Sequence, residues 1–246
     1  MINNNLFLKK VVKFFSLFKK FFFLQIFFKY GIAASVEHLR AFNSLNIEVK
    51  TYLDIGSNKG QFSILVNGLY PGTTIYAFEP LKKCIKTYAN IFSSYDNVSF
   101  FQTAIGEEEK EEIIHVSIRD DSSSLLPIGK NQTNIFPGTE EYNTENVQVK
   151  RLNHFIKPED LLSPVFVKID VQGYELEVLK GCDDLIEYFD HIYVECSFIK
   201  LYEGQALADE VIQYLGNHSF KLSGIYNMFY DKMGIAIQAD FMFSSK

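Results

Sequence analysis

YLDIGSNKGQFSILV, running from Tyr52 to Val66, joins a β-rich apolar run to a glycine-punctuated turn and then to an amphipathic helix. Val49 to Ile55 predicts a strand that ends at Asp54 and Gly56, and Gln61 to Leu69 predicts a helix closed by the Pro71-Gly72 turn. Gly56 and Gly60 permit a tight turn and close approach of a ligand to the backbone. Asn58 stands where many nucleotide loops carry glycine, and asparagine best replaces glycine at positive φ. A second short strand, Thr74 to Phe78, ends at Glu79-Pro80, 25 positions after Asp54. Strand, glycine turn, helix, strand and acid form the first half of a dinucleotide-type βαβ unit, with Glu79 able to accept both ribose hydroxyls.

Downstream the alternation continues. A helix is expected near Leu81 to Phe92, a strand over Val98 to Thr103, and a charged turn, Glu107 to Glu112, leading into a hairpin-partner strand to Ile118. Residues 119–146 lack periodicity and are rich in Ser, Asn, Gly, Pro and Thr, which predicts a long loop of the kind that serves as a lid. Strands follow at Val147 to Arg151, Val165 to Ile169 and His191 to Cys196, with helices over Tyr174 to Lys180 and Gln205 to Leu215. Two strands, Phe220 to Leu222 and Gly234 to Phe243, close the chain, separated by turn residues around Asn227 to Asp231. Upstream, Ser35 to Ser44 reads as a helix with Ser35 as its N-cap. The pattern implies an α/β architecture, a mostly parallel sheet with helices on both faces.

The 246 residues, 47% hydrophobic, suffice for one sizeable core. Cys84, Cys182 and Cys196 are odd in number and widely spaced, so they read as reduced, buried thiols of a cytoplasmic protein. The net charge of −6 conceals an asymmetry, because residues 1–30 hold six lysines and no acid, leaving −12 for the rest. An acidic body argues against nucleic acid as the main partner. Lysines interrupt the apolar stretch 6–28 too often for a membrane span of about 20 residues. On a helix, Lys9, Lys13, Ser16 and Lys20 share one stripe opposite Phe7, Val11, Phe14, Phe15, Phe18 and Phe22. Two readings of this basic amphipathic segment stay open: a peripheral contact with an anionic inner-membrane surface through residues 6–28, or packing on the domain or on a second subunit of a homo-oligomer. The chain thus divides into an N-terminal helical segment, 1–34, and a main domain, 35–246.

Ligands of open α/β sheets sit beyond the carboxyl ends of the strands, and four polar clusters fall there: Asp54 to Gly60, Glu79, Asp170 to Gly173 and Glu195. NAD competes for such a turn, but Asn58 and Gln61 break the Gly-x-Gly-x-x-Gly spacing. Asp54 also suits a cation better than a pyrophosphate, which favours S-adenosylmethionine.

YLDIGSNKGQFSILV, YAFEPL (Tyr76 to Leu81), DSSSLLP (Asp121 to Pro127), VKIDVQGYELEVLKG (Val167 to Gly181), VECSFIKLYEGQ (Val194 to Gln205) and IQADFMF (Ile237 to Phe243) together resemble the FkbM family of methyltransferases. The resemblance runs from about residue 35 to the end. It implies a Rossmann-like class I methyltransferase sheet of seven strands with an antiparallel last strand, and methyl transfer to a hydroxyl oxygen of a glycan, sugar or other metabolite. It also implies S-adenosylmethionine contacts at Asp54, Gly56, Asn58, Gly60 and Glu79. Ser57, part of the same turn, stands where alanine is common, and Gln172 where many members have glutamate.

A hydroxyl needs its proton removed before it attacks, so a base at the ligand end of the sheet is expected. Asp170 and then Glu195 are the candidates, with Glu175 third on an exposed helix turn. The plain alternatives are helix capping for Asp170 and a structural hydrogen bond to the Tyr202 to Gln205 segment for Glu195. The two carboxylates suit Mg²⁺, but no third ligand is evident, so no metal site is assigned. Ser122, Ser123 and Ser124 form a turn or bind acceptor hydroxyls together with Gln172, and Tyr174, Tyr202 and Tyr226 are candidates for stacking on a sugar. His38 reads as a helix-surface residue, and no histidine has an acid nearby in sequence. A nicotinamide-dependent oxidoreductase and a non-catalytic membrane-associated scaffold are the competing functions.

Overall fold

Side chains alternate across the central strands, and that alternation builds two apolar layers. In β1 (Thr51–Ile55), Leu53 and Ile55 enter one layer and Tyr52 the other. In β7 (Val165–Ile169), Val165, Val167 and Ile169 enter the first and Phe166 the second. The computed structural model describes residues 21–245. With β2 (Thr74–Phe78), β3 (Val98–Phe101), β8 (His191–Ser197), β9 (Phe220–Tyr230) and β10 (Ala236–Ser245), these strands form a seven-stranded sheet in the order β3-β2-β1-β7-β8-β10-β9. The pairs from β3 through β8 are parallel, while β10, the last strand, runs antiparallel to both neighbours. Strand order reverses between β1 and β7, which opens the crevice where such sheets take ligands.

Helices α1 (Phe21–Tyr30), α2 (Leu39–Leu45), α3 (Gln61–Leu69) and α4 (Lys82–Phe92) cover one face, and α6 (Glu175–Gly181) and α7 (Ala208–Asn217) the other. Phe23 and Ile26 of α1 join the core, Phe23 lying over Gly68 where any Cβ would overlap its ring. Phe21 and Phe28 of the same helix are exposed. The lysine stripe expected over Lys9 to Lys20 lies outside the described residues. Among those described, no helix is long and apolar enough to cross a membrane.

A small second sheet, β4 (Ala104–Ile105), β6 (Glu141–Lys150) and β5 (Lys110–Ser117) in that order, sits beside α4 through Leu81, Cys84, Ile114, Val116 and Val147. It corrects the long loop expected over 119–146, which contains α5 (Lys130–Ile135) and the first half of β6. Residues 141–146 carry mostly exposed polar side chains, so pairing with β5 leaves no apolar alternation to read until Val147. Ser35 likewise is no N-cap: its amide binds Gln61 O at 3.1 Å, and a single 3-10 turn, Val36–His38, precedes α2. β9 runs through the expected break at Asn227, whose φ of 48° falls at a shift in the β9 to β10 register. Among the described residues all three cysteines are buried and unpaired.

Candidate active site

The turn after β1 is held by its own backbone. Gly56 and Ser57 both donate their amides to Phe78 O at 3.0 Å, and Gly56 (φ 75°), Asn58 (φ 47°) and Gly60 (φ 90°) adopt left-handed conformations. A Cβ at Gly56 would overlap the carbonyl oxygen of Asp170, so the β1 turn rests directly on the end of β7. Glu79, at the end of β2, accepts the Asn58 amide on Oε2 and the Leu81 amide on Oε1, each at 2.9 Å. Burial pushes its carboxyl up to about 7, against the opposing effect of those two amides. Gly56, Ser57, Asn58 and Glu79 line a cleft of about 1170 Å³ that opens to solvent. Ser57 Oγ is buried there with no hydrogen-bond partner, a polar atom left for a ligand.

Asp54 and Gly60 lie behind this wall. Asp54 is completely buried on the α3 side, with Ser63 Oγ donating to Oδ2 at 2.6 Å and Lys168 Nζ 3.4 Å from Oδ1. Its charge is therefore met from within the protein rather than turned toward the cleft. Gly60 caps α3 against the rings of Tyr88 and Phe92. Lys168, which the sequence reading passed over, donates to Gly56 O at 2.6 Å and lies 3.9 Å from Asp170 Oδ2, tying the glycine turn to β7. A lysine in an otherwise apolar five-residue strand was the available signal.

The opposite wall is built from side chains. Asp170 faces the cleft with its side chain 40% exposed. Gln172, in a left-handed conformation (φ 56°), donates from one Nε2 to Asp170 Oδ1 at 2.8 Å and to Glu195 Oε2 at 3.0 Å. Tyr202 donates to Gln172 Oε1 at 2.8 Å, which orients the amide. Glu195 stands behind Gln172 and off the cleft wall, its other oxygen accepting from Gln238 at 2.7 Å. Desolvation, with the charges of Asp170 and Asp240 adding to it, raises the Glu195 carboxyl well above the usual range. Neither plain alternative for these acids fits. Asp170 caps nothing, and Gln205 rather than Glu195 ties down the 201–205 segment through the Leu201 amide and Ser197. Glu175 is buried, not exposed, with the Gly173 amide on its Oε1 at 2.8 Å and burial pushing it up to about 7.

Segment 119–146 reaches the cleft through Asp120, Asp121, Ser123, Ser124 and Leu125. Asp120 lies 2.8 Å from Lys59 Nζ and 3.5 Å from Lys83 Nζ, which straps the segment to the glycine turn. Ser124 Oγ donates to Gln172 O at 2.6 Å and accepts from the Leu126 amide, while Ser123 Oγ accepts from the Ser117 amide at 3.1 Å. Both serines thus brace the wall. Tyr174 lines the cleft, whereas the Tyr226 hydroxyl is paired with Ser44.

His38 also lines the cleft, contrary to its expected surface place. Its Nδ1 lies 3.0 Å from Tyr193 Oη, 3.0 Å from Asn227 Nδ2 and 3.3 Å from Asp240 Oδ2, and its ring packs 4.4 Å from that of Phe62. The other histidines find acids too: His115 pairs with Glu141, His154 with Glu109 and His218 with Asp183. Most of these partners are distant in sequence, so adjacency along the chain could not reveal them. Among the described residues, no group of three or more His, Cys, Asp and Glu is arranged to hold a metal ion.

Comparison with known proteins bears on this cleft. A model of the FkbM methyltransferase domain matches residues 54–222. Methyltransferase 1 of Beauveria bassiana is 29% identical over 153 residues, covering 57% of this chain and 60% of that protein. The 2-O-methyltransferase NoeI of Sinorhizobium fredii is 27% identical over 159 residues, 62% of this chain and 65% of that one. The chain thus spans less than two thirds of the length of either relative. Among solved structures, a Clostridium thermocellum protein assigned as an rRNA methylase superposes with a TM-score of 0.50 at 9% identity, covering 87% of this chain and 99% of that one, a likeness of fold alone.

Proposed function

Since the chain belongs to the FkbM methyltransferase family, we propose that it moves a methyl group from S-adenosylmethionine to a hydroxyl oxygen of a glycan, sugar or other hydroxylated metabolite. The observation that carries the reading is a backbone cradle, Gly56 to Gly60 clasped by Glu79, facing Asp170 across one cleft at the reversal of strand order. The cofactor fits what the cradle offers, since Ser57 Oγ is an unpartnered polar atom and Glu79 an acceptor at ribose distance along the sheet. Gly56, Ser57, Asn58 and Glu79 would hold it directly, while Asp54 and Gly60 support the turn from behind. S-adenosylmethionine supplies an electrophilic methyl group on a sulfonium.

What the protein adds is chiefly position, which can supply roughly 7 to 11 kcal/mol when nucleophile and methyl are aligned. Asp170 accepts a hydrogen bond from the acceptor hydroxyl and points its oxygen. Gln172 and Glu195 fix Asp170, and Ser123 and Ser124 brace the segment that closes the acceptor end. Similarity to a 2-O-methyltransferase supports an oxygen acceptor. The six lysines of residues 1–30 and the exposed Phe21 and Phe28 support a peripheral place on an anionic inner membrane, where lipid-linked saccharides are within reach.

Two titrations by calorimetry test the cofactor, and transfer of labelled methyl to fractionated cell extract tests the acceptor. Binding of NAD without binding of S-adenosylmethionine refutes the reading, and label in protein or RNA rather than in a hydroxylated small molecule or glycan refutes the acceptor class. For the membrane, vesicles containing phosphatidylserine should pellet the full chain and lose it when Lys9, Lys10, Lys13, Lys19 and Lys20 become serine. Equal pelleting removes the membrane from the proposal.

A further inference from the structure

We infer that His38, held by Asp240, is the base that takes the proton from the acceptor hydroxyl, an inference that rests on the methyl-transfer reading above. Four elements far apart in sequence meet at this ring. The Val36–His38 turn supplies the imidazole, β8 supplies Tyr193, the bulged β9 supplies Asn227, and β10 supplies Asp240, itself only 8% exposed. All three partners gather on Nδ1. Asn227 gives one amide hydrogen to Asp240 at 2.7 Å and points the other toward Tyr193 Oη at 3.5 Å, and Tyr193 also bonds Asp240. The carboxylate, 3.3 Å from Nδ1, is the strongest acceptor in the cluster, so it holds the proton on Nδ1. Nε2 is left with its lone pair, and no hydrogen bond among the described residues engages it.

The ring belongs to the cleft that Asp170 and the glycine turn also line. It packs on Phe62, in the first turn of the helix that begins at Gly60. Asp170 is the weaker base of the two, since it already accepts from Gln172 and has Lys168 beside it. Its part is to orient. In the step itself the hydroxyl proton passes to His38 Nε2 and the oxygen's electron pair forms the new C–O bond. The sulfonium C–S bond breaks, and sulfur keeps that pair as a neutral thioether. Asp240 then faces an imidazolium, the arrangement of an acid that orients and stabilises a general base without taking its proton. The titratable groups around His38 are Asp240, Tyr193 and, on the same cleft wall, Glu37, Lys168 and Asp170.

Long-range proton–nitrogen correlation spectra of the full chain, with and without S-adenosylmethionine, read the tautomer directly. The Nδ1–H form for His38, with Nε2 shifted on cofactor addition, is expected; an Nε2–H form, or an Nε2 insensitive to the cofactor, overturns the inference whether or not an acceptor is in hand. Asp240→Asn should erase the tautomer preference. On the extract fraction that takes up label, His38→Gln should lower the rate roughly 100-fold or more while changing cofactor affinity less than threefold, and the pH dependence of the residual rate should lose the limb that His38 supplies. Rates within threefold of the parent also overturn it. Loss of cofactor binding by the parent protein, in contrast, counts against the methyl-transfer reading and leaves the tautomer result standing.

Discussion

The two walls of the cleft are made by different means. The cofactor wall is one continuous piece of backbone, residues 55–60, clasped by one carboxylate at the end of the next strand. The acceptor wall has no continuous piece, since Asp170, Gln172, Ser124 and His38 come from three separate regions of chain and meet only through side-chain bonds. Backbone geometry tolerates almost no substitution, whereas a wall assembled from side chains can be rebuilt residue by residue. The cofactor is thereby common property of the fold, and the acceptor is peculiar to the chain.

Substitutions can break that contrast or sharpen it. Gly56→Ala should have the largest effect, because it puts a Cβ into the Asp170 carbonyl at a residue with φ 75°. A loss of about 3 to 5 kcal/mol in chemical unfolding, with cofactor binding abolished, is expected. Lys168→Met comes next, costing about 3 kcal/mol by leaving the Asp54 carboxylate buried without its cation, and the double variant with Asp54→Leu should recover much of it. If the double variant is no more stable than the single, Lys168 serves the cleft rather than Asp54.

On the other wall, Gln172→Ala removes the one amide shared by Asp170 and Glu195 and should slow turnover roughly tenfold to a hundredfold, about 1.5 to 3 kcal/mol, with cofactor affinity unchanged. An equal loss of cofactor affinity would mean that the walls are not independent. pH separates them more gently. Glu79 and Glu175 are both pushed from the usual 4.5 up to about 7, so each binds its proton more tightly folded than unfolded. Their contribution to stability is greatest at acid pH and declines as pH rises toward 7. Cofactor affinity runs the other way, because ribose hydroxyls need the Glu79 carboxylate, and should fall up to about tenfold per unit below pH 7. Glu79→Gln should flatten that affinity profile and Glu175→Gln should not. Smallest of all, Ser57→Ala should weaken cofactor binding by about 1 kcal/mol while leaving the free protein as stable as before, since its hydroxyl has no partner to lose.

The same contrast explains what could be read from the chain alone. Strands β1, β2 and β7 and helix α3 are legible because apolar period and turn residues are local, and Glu79 because it ends the next strand. The roles of His38, Lys168 and Glu175 are not, since Asp240 lies 202 positions from His38 and only the sheet order places β10 beside β8. Residues 141–146 failed for a different reason: a strand with exposed polar side chains carries its information in backbone pairing, which no periodicity reports.

One contact reaches further than its size suggests. Where Gly56 rests on the Asp170 carbonyl, main chain touches main chain, so the separation between the two ends of the reaction is a fixed gauge that side-chain change cannot reset. Relatives that act on acceptors of different size must therefore find the extra room elsewhere. The segment between β5 and β6 and the stretch before α2 are the parts of the cleft free to lengthen or shorten, and there the choice of acceptor should be written.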